Sequence, residues 1–179
     1  MTSPGSTIVV LTGASGSGKT TVCLAVAEHA RRQPVEGIVT VPRLENGWPV
    51  GLDVRCLSTG VRRPLAELAG ETDGPTIGKW RFHSSGLAFG NRCCEAARSD
   101  ALLVIDELGP LELLRSAGWA GTIALLRDRP GPSLVVVRPS LVETFRDRVA
   151  TGRIRMVDIS TERREDLPGL INTILEEQG

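Results

Sequence analysis

Gly13-Ala14-Ser15-Gly16-Ser17-Gly18-Lys19-Thr20 is the stretch that decides the fold. It matches the pattern G-x-x-x-x-G-K-[ST]. Residues 7–12, Thr-Ile-Val-Val-Leu-Thr, run into it as a short β-branched segment of the kind that forms a buried parallel strand. Residues 19–32 leave it with apolar side chains at Val22, Ala25, Val26 and Ala30, a helical spacing that Pro34 closes. A glycine-rich turn between a strand and a helix aims a row of backbone N–H groups at one point, beside the positive end of the helix dipole. The ligand suited to that cradle is a densely anionic polyphosphate. Lys19 adds a compact ammonium for the β- and γ-phosphates, and the hydroxyl of Thr20 adds a hard oxygen ligand for Mg²⁺. Gly13, Ala14, Ser15, Gly16, Ser17, Gly18, Lys19, Thr20 and Thr21 are therefore the candidate phosphate-binding residues. Thr20 is also a candidate metal ligand, and Lys19 a candidate catalytic residue. Lysine is rare in this chain: every other basic residue except Lys79 is arginine, so Lys19 stands where a flexible point charge is wanted.

A second element answers the first. Leu102-Leu103-Val104-Ile105-Asp106-Glu107 is an apolar run ending in two carboxylates. In open α/β sheets the C-terminal ends of the strands are where ligands bind. Asp106 there is the second candidate Mg²⁺ ligand, and Glu107 is a candidate catalytic residue that orients or deprotonates a water at the γ-phosphate. A polar strand end capping the next helix is the plainer alternative for this pair. Phosphoryl transfer also gains from a cation at the transition state. Arg81, Arg115, Arg138, Arg146, Arg148 and Arg153 are candidates, with Arg138 first because it follows a strand end. Lys79, in Gly78-Lys79-Trp80, is read as a strand-start residue in preference to one near the nucleotide.

Between these motifs the chain alternates. Strands are expected at residues 37–41 and 50–57, with Glu45-Asn46-Gly47 as a hairpin turn that makes the pair antiparallel. Residues 59–78, rich in Gly, Pro and Thr, read as loop with one possible helical turn at 64–69. A short strand is expected at 78–83, and a helix at 85–99 capped by Ser84 or Ser85. Residues 111–126 read as broadly helical, 133–137 as a buried strand, 140–149 as a helix, 154–159 as a strand and 161–177 as a terminal helix.

The bulk properties fit a single domain spanning residues 1–179 with a substantial core: 179 residues, 41% hydrophobic and 23% charged. The 21 basic and 21 acidic residues balance, so no charge excess points to nucleic acid or to an anionic membrane. The first apolar run is too short for a secretory leader or a membrane span, which makes the cytoplasm the expected compartment. Cys23, Cys56, Cys93 and Cys94 lack zinc spacing and read as reduced, packed thiols.

Several segments now form a pattern in fixed order: GASGSGKTT at 13–21, GIVTVPR at 37–43, VGLDVRCLS at 50–58, Pro64-Leu65-Ala66, Gly78-Lys79-Trp80 and DELGPLEL at 106–113. Together they resemble the THEP1-like nucleoside-triphosphatases, also called the cancer-related nucleoside-triphosphatase family, over nearly the whole chain. The resemblance implies a three-layer, RecA-like P-loop core with a mainly parallel central sheet and an inserted antiparallel hairpin. It also implies hydrolysis of ATP, GTP and other nucleoside triphosphates with loose base choice, with Asp106-Glu107 as the Walker-B pair. The family often carries acidic residues where this chain has Val41-Pro42, and Ile-Gly-Lys-Met-Glu where it has Leu108-Gly109-Pro110-Leu111-Glu112. These departures mark a distinct subgroup. Two rivals use the same loop. A small-molecule or nucleoside kinase would place an arginine-rich lid, for which 127–129 or 146–155 are the candidates. A nucleotide-dependent switch would hydrolyse slowly until a partner intervened.

Overall fold

The computed structural model describes residues 7–30, 32–68, 70–150 and 153–176. Strand β1 (Ile8–Thr12) leads into helix α1 (Lys19–His29), and then come β2 (Val35–Glu45) and β3 (Trp48–Cys56). Next are β4 (Arg62–Glu67), β5 (Thr76–Ile77), β6 (Trp80–Phe82) and α2 (Ser84–Glu95). The second half contributes β7 (Leu102–Leu108), the short α3 (Pro110–Leu113), α4 (Gly121–Asp128) and β8 (Ser133–Val137). A 3₁₀ turn opens α5 (Val142–Val149), and β9 (Ile154–Asp158) and α6 (Leu167–Glu176) complete the order.

All strands join one nine-stranded sheet in the order β5-β6-β4-β3-β2-β7-β8-β1-β9. From β2 to β9 the neighbours run parallel. From β2 to β5 they run antiparallel. The central strands of the parallel half, β1, β7 and β8, are buried on both faces, which explains their unbroken apolar runs. Their side chains alternate between two cores. Val9, Leu11, Leu102, Val104, Leu134 and Val136 pack with Val22 and Val26 of α1 and with Leu167 and Ile171 of α6. Val10, Leu103, Ile105, Val135 and Val137 face the other way, onto Leu87 of α2, Ile123 of α4 and Phe145 of α5. Helices on both faces of a sheet make three layers.

The sheet is mixed rather than mainly parallel, and the β2–β3 hairpin is part of it. β2 belongs to both halves: Val35 to Ile38 pair with β7, and from Ile38 onward it pairs with β3. The turn between β2 and β3 has Asn46 at φ 51° and Gly47 at φ 82°. Two consecutive positive φ values are the geometry of the tight turn whose twist matches a hairpin.

Other elements also differ from expectation. Residues 64–67 lie in strand β4, not in a helical turn, and residue 69 lies outside the described residues. Pro64 hid that strand. It is tolerated because the β3–β4 register shifts at the Leu52/Asp53 step beside it. Neither serine caps α2: its first N–H, on Ser84, is taken by the Asp73 carboxylate at 2.9 Å. The segment 111–126 breaks into α3 and α4 because the chain between them wraps a buried carboxylate, Glu112. The terminal helix starts only at Leu167, with Pro168 in its first turn, where a missing N–H costs nothing. Helix α1 ends at His29; residues 31 and 177, within the helical spans read from sequence, lie outside the described residues. No described helix is long and apolar enough to cross a membrane.

Candidate active site

The site lies at the C-terminal edge of the parallel strands, where β1, β7 and β8 end side by side. β1 delivers the loop 13–18, and α1 starts directly behind it. Gly13 has φ 145°, and a Cβ there would collide with the side chain of Ile159, so only glycine fits this close approach to the end of β9. Ser15, Gly16, Gly18, Lys19 and Thr20 line a cleft of about 230 Å³. Gly13, Ala14, Ser17 and Thr21 do not line it. Gly13 and Ala14 instead hold the lysine: Lys19 Nζ donates to their carbonyl oxygens at 2.9 and 2.5 Å and lies 3.4 Å from Ser17 Oγ. Thr21 is exposed on the first turn of α1.

β7 brings the two carboxylates to the same cleft. Asp106 is 3% exposed. Its Oδ2 accepts the Thr20 hydroxyl at 2.7 Å and the Thr40 backbone N–H at 3.1 Å. Burial pushes its carboxyl up to about 6, against the pull of those two hydrogen bonds. Glu107 sits at a defect in the strand. β7 advances from Ile105 to Leu108 while β8 advances only from Val135 to Val137. The extra residue is accommodated with Glu107 at φ 75°. A bulge of this kind re-aims a side chain. The Glu107 carboxylate accepts a hydrogen bond from Nε of Arg138, which stands just beyond the end of β8 and lines the same cleft.

The remaining arginines considered from sequence serve other ends. Arg148 donates to the carbonyls of Glu112 and Leu113, tying α5 to α3. Arg81 and Arg115 bond the carbonyls of Gly70 and Thr76. Arg146 lies 4.0 Å from Glu143 on the α5 surface, and Arg153 makes interactions of its own. In the 127–129 segment Arg127 pairs with Asp128, while Arg129 is buried between loops. Lys79 lies over the Trp80 ring in the β5–β6 turn. One residue at the site was not anticipated. Arg164, in the loop before α6, donates to the Ser17 carbonyl at 2.7 Å and packs on Gly18. It lies in Glu162-Arg163-Arg164-Glu165, which reads as a solvated charge run, and only the fold carries it to the phosphate loop.

A strand-loop-helix cradle facing a buried aspartate and a bulged glutamate is a phosphate-handling geometry, and comparison with known proteins gives its family. The family described as NTPase matches residues 8–172. The chain belongs to this NTPase family, as a THEP1-like P-loop member. Among the NTPase relatives, a nucleoside-triphosphatase THEP1 of Natranaerobius thermophilus is 30% identical over 95% of this chain and 97% of its own length. The THEP1 of Methanosarcina acetivorans is 29% identical over 96% of this chain and 98% of its own. The solution structure of a human cancer-related nucleoside triphosphatase shares the fold, with a TM-score of 0.78 over 97% of this chain and all of that one, at 24% identity.

Proposed function

We propose that this NTPase hydrolyses nucleoside 5′-triphosphates, ATP and GTP among them and CTP and UTP as further substrates, with Mg²⁺. The carrying observation is that the phosphate loop and the Asp106-Glu107 pair open on one cleft, with Arg138 at its side. The names of the relatives, nucleoside-triphosphatase throughout, support the same reading. The loop N–H groups and the start of α1 would hold the phosphates. Lys19, now satisfied by its own loop's carbonyls, would turn to the β- and γ-phosphates, a stronger partner for an ammonium. Thr20 and Asp106 suit Mg²⁺: a hydroxyl and a buried carboxylate, 2.7 Å apart, are hard oxygen donors of the kind it prefers. When bound, the ion would neutralise phosphate charge. Glu107 would take the proton of the attacking water as its oxygen bonds to the γ-phosphorus and the bridging oxygen leaves with the diphosphate. Arg138 would offset the charge that develops. The cytoplasm, which holds the triphosphate pool, is the compartment this activity implies.

Phosphate release from ATP, GTP, CTP and UTP, measured for the wild type and for Glu107→Gln, tests the reading. Several nucleotides should be cleaved by the wild type. The variant should keep nucleotide affinity and lose at least about two orders of magnitude in turnover. Tight binding by the wild type with no phosphate release would refute hydrolysis.

A further inference from the structure

A second cavity shares its mouth with the phosphate cleft. Asp106, Glu107 and Arg138 line both spaces, so the Glu107–Arg138 pair stands between them. This cavity holds about 110 Å³. It is walled by Leu65, Trp80, Phe82, Leu87, Leu111 and Trp119, from the antiparallel half of the sheet, α2 and the α3–α4 segment. Its deep polar groups are already satisfied. Glu112 accepts the N–H groups of Gly109 and Trp119, and the Trp119 indole donates to the Leu87 carbonyl at 3.1 Å. The charged groups common to both spaces, Asp106, Glu107 and Arg138, stand at the mouth, where Glu107 and Arg138 are hydrogen-bonded to each other.

Water as a nucleophile needs only the mouth. An apolar chamber behind the catalytic glutamate serves a molecule with an apolar body. We infer that this cavity receives a small cyclic alcohol as a second phosphoryl acceptor, its ring among the aromatic and leucine side chains and its hydroxyl at Glu107. The inference rests on the reading of Glu107 given above. Size and polarity define the class. The volume of about 110 Å³ is somewhat below the roughly 150 Å³ of an engineered apolar cavity that takes benzene, so the chamber suits nothing larger than a single ring. Sugars and nucleosides are excluded, because their additional hydroxyls would be buried among apolar walls without partners.

The step balances as ordinary transfer. The alcohol oxygen bonds to the γ-phosphorus, and its proton passes to Glu107. The bond from that phosphorus to the β–γ bridging oxygen breaks, and its electron pair stays on the nucleoside diphosphate. The products are a phosphomonoester and the diphosphate. Hydrolysis is the same step with water at the mouth.

Benzyl alcohol is the probe, with methanol as the control that lacks a ring. With γ-labelled ATP and Mg²⁺, the measured quantity is the ratio of phosphate ester to inorganic phosphate. A ratio at least about tenfold higher for benzyl alcohol than for methanol at equal concentration is expected, because burying a ring is worth more than 1.4 kcal/mol. Toluene should depress that ratio by competing for the chamber. Leu87→Trp fills the chamber and should lower the ratio about tenfold. Ile77→Trp narrows it from a two-residue edge strand, where misfolding is less of a concern, and should act the same way. Inorganic phosphate released without benzyl phosphate above the methanol level would overturn this inference and leave hydrolysis standing. A ratio indifferent to both tryptophan variants would overturn the assignment to this cavity. Absence of both products would overturn both readings.

Discussion

Glu107 is a non-glycine residue at φ 75° beside the phosphate cleft. Such a conformation costs about 1–3 kcal/mol and persists only where the surrounding structure imposes it. Here the imposing feature is the bulge against β8 and the contact with Arg138. Glycine takes this conformation without strain. Its added freedom in the unfolded chain offsets part of that relief, and the half-exposed ion pair with Arg138 is worth little. Glu107→Gly should therefore unfold in urea at a stability equal to the wild type or higher by up to about 1 kcal/mol, while phosphate release falls away. A loss of more than about 1 kcal/mol would show that the bulge is unstrained. The carboxylates themselves were legible, because an apolar run can only deliver Asp106-Glu107 to a strand end. The bulge was not, since it exists only in the register between β7 and β8.

Helix α3 is held by a buried glutamate at its third position, in a capping box whose N-cap is Gly109 in place of Ser or Thr. Glu112 is 5% exposed, and its two oxygens accept the N–H groups of Gly109, at 2.9 Å, and Trp119, at 3.2 Å. It thus caps its own helix and fixes the loop leading to α4, which is why residues 111–126 are not one helix. Burial holds its carboxyl above the ordinary glutamate value, although both N–H groups favour the charged form. A carboxyl raised in the folded state binds a proton more readily there than in the unfolded chain. Its contribution to stability is fullest below the unfolded value and declines as pH rises through the folded one. Glu112→Gln removes that titration and turns an amide donor toward an N–H. The variant should be less stable by about 1–3 kcal/mol, with the gap widest in acid and narrowing as pH rises from about 4 toward neutrality. Denaturant melts at a series of pH values decide this, and a gap that widens with pH would refute it. At the opposite, N-terminal edge of the strands, Arg129 staples loops together. Its guanidinium donates to the carbonyls of Arg98 at 2.7 Å, Ala101 at 3.1 Å and Pro132 at 3.0 Å. Arg129→Met should cost about 2 kcal/mol, or roughly 4–8 °C in thermal midpoint, by leaving buried carbonyls without donors. Because the staple is remote from the cleft, turnover per folded molecule should stay at the wild-type level; a matching loss of turnover would mean that the two edges are coupled.

At the scale of the whole molecule, the phosphate loop joins distant parts of the chain: Thr20 to Asp106 of β7, and Ser17 to Arg164 before α6. A ligand bound there stabilises only the folded state. Mg²⁺ and a nucleotide at one hundred times its dissociation constant should add about 2.7 kcal/mol, or roughly 5–10 °C in a melting curve, and Lys19→Ala should abolish that rise. A rise that survives in the variant would place the nucleotide elsewhere. The sequence by itself determined the phosphate loop, the strand that carries Asp106-Glu107, the β2–β3 turn and the α/β order. Each of these is written in residues close together in the chain, as a glycine pattern, an apolar run or a turn pair. Tertiary structure alone decided strand β4, which proline concealed, and the joining of the expected hairpin and the parallel strands in one sheet. It also decided the buried anchor Glu112, the reach of Arg164 over the loop and the apolar chamber behind Glu107. Arg164 and the chamber depend on contacts between segments far apart in sequence; Glu112 binds N–H groups only three and seven residues away, but its burial, which makes it an anchor, comes from the packing around it.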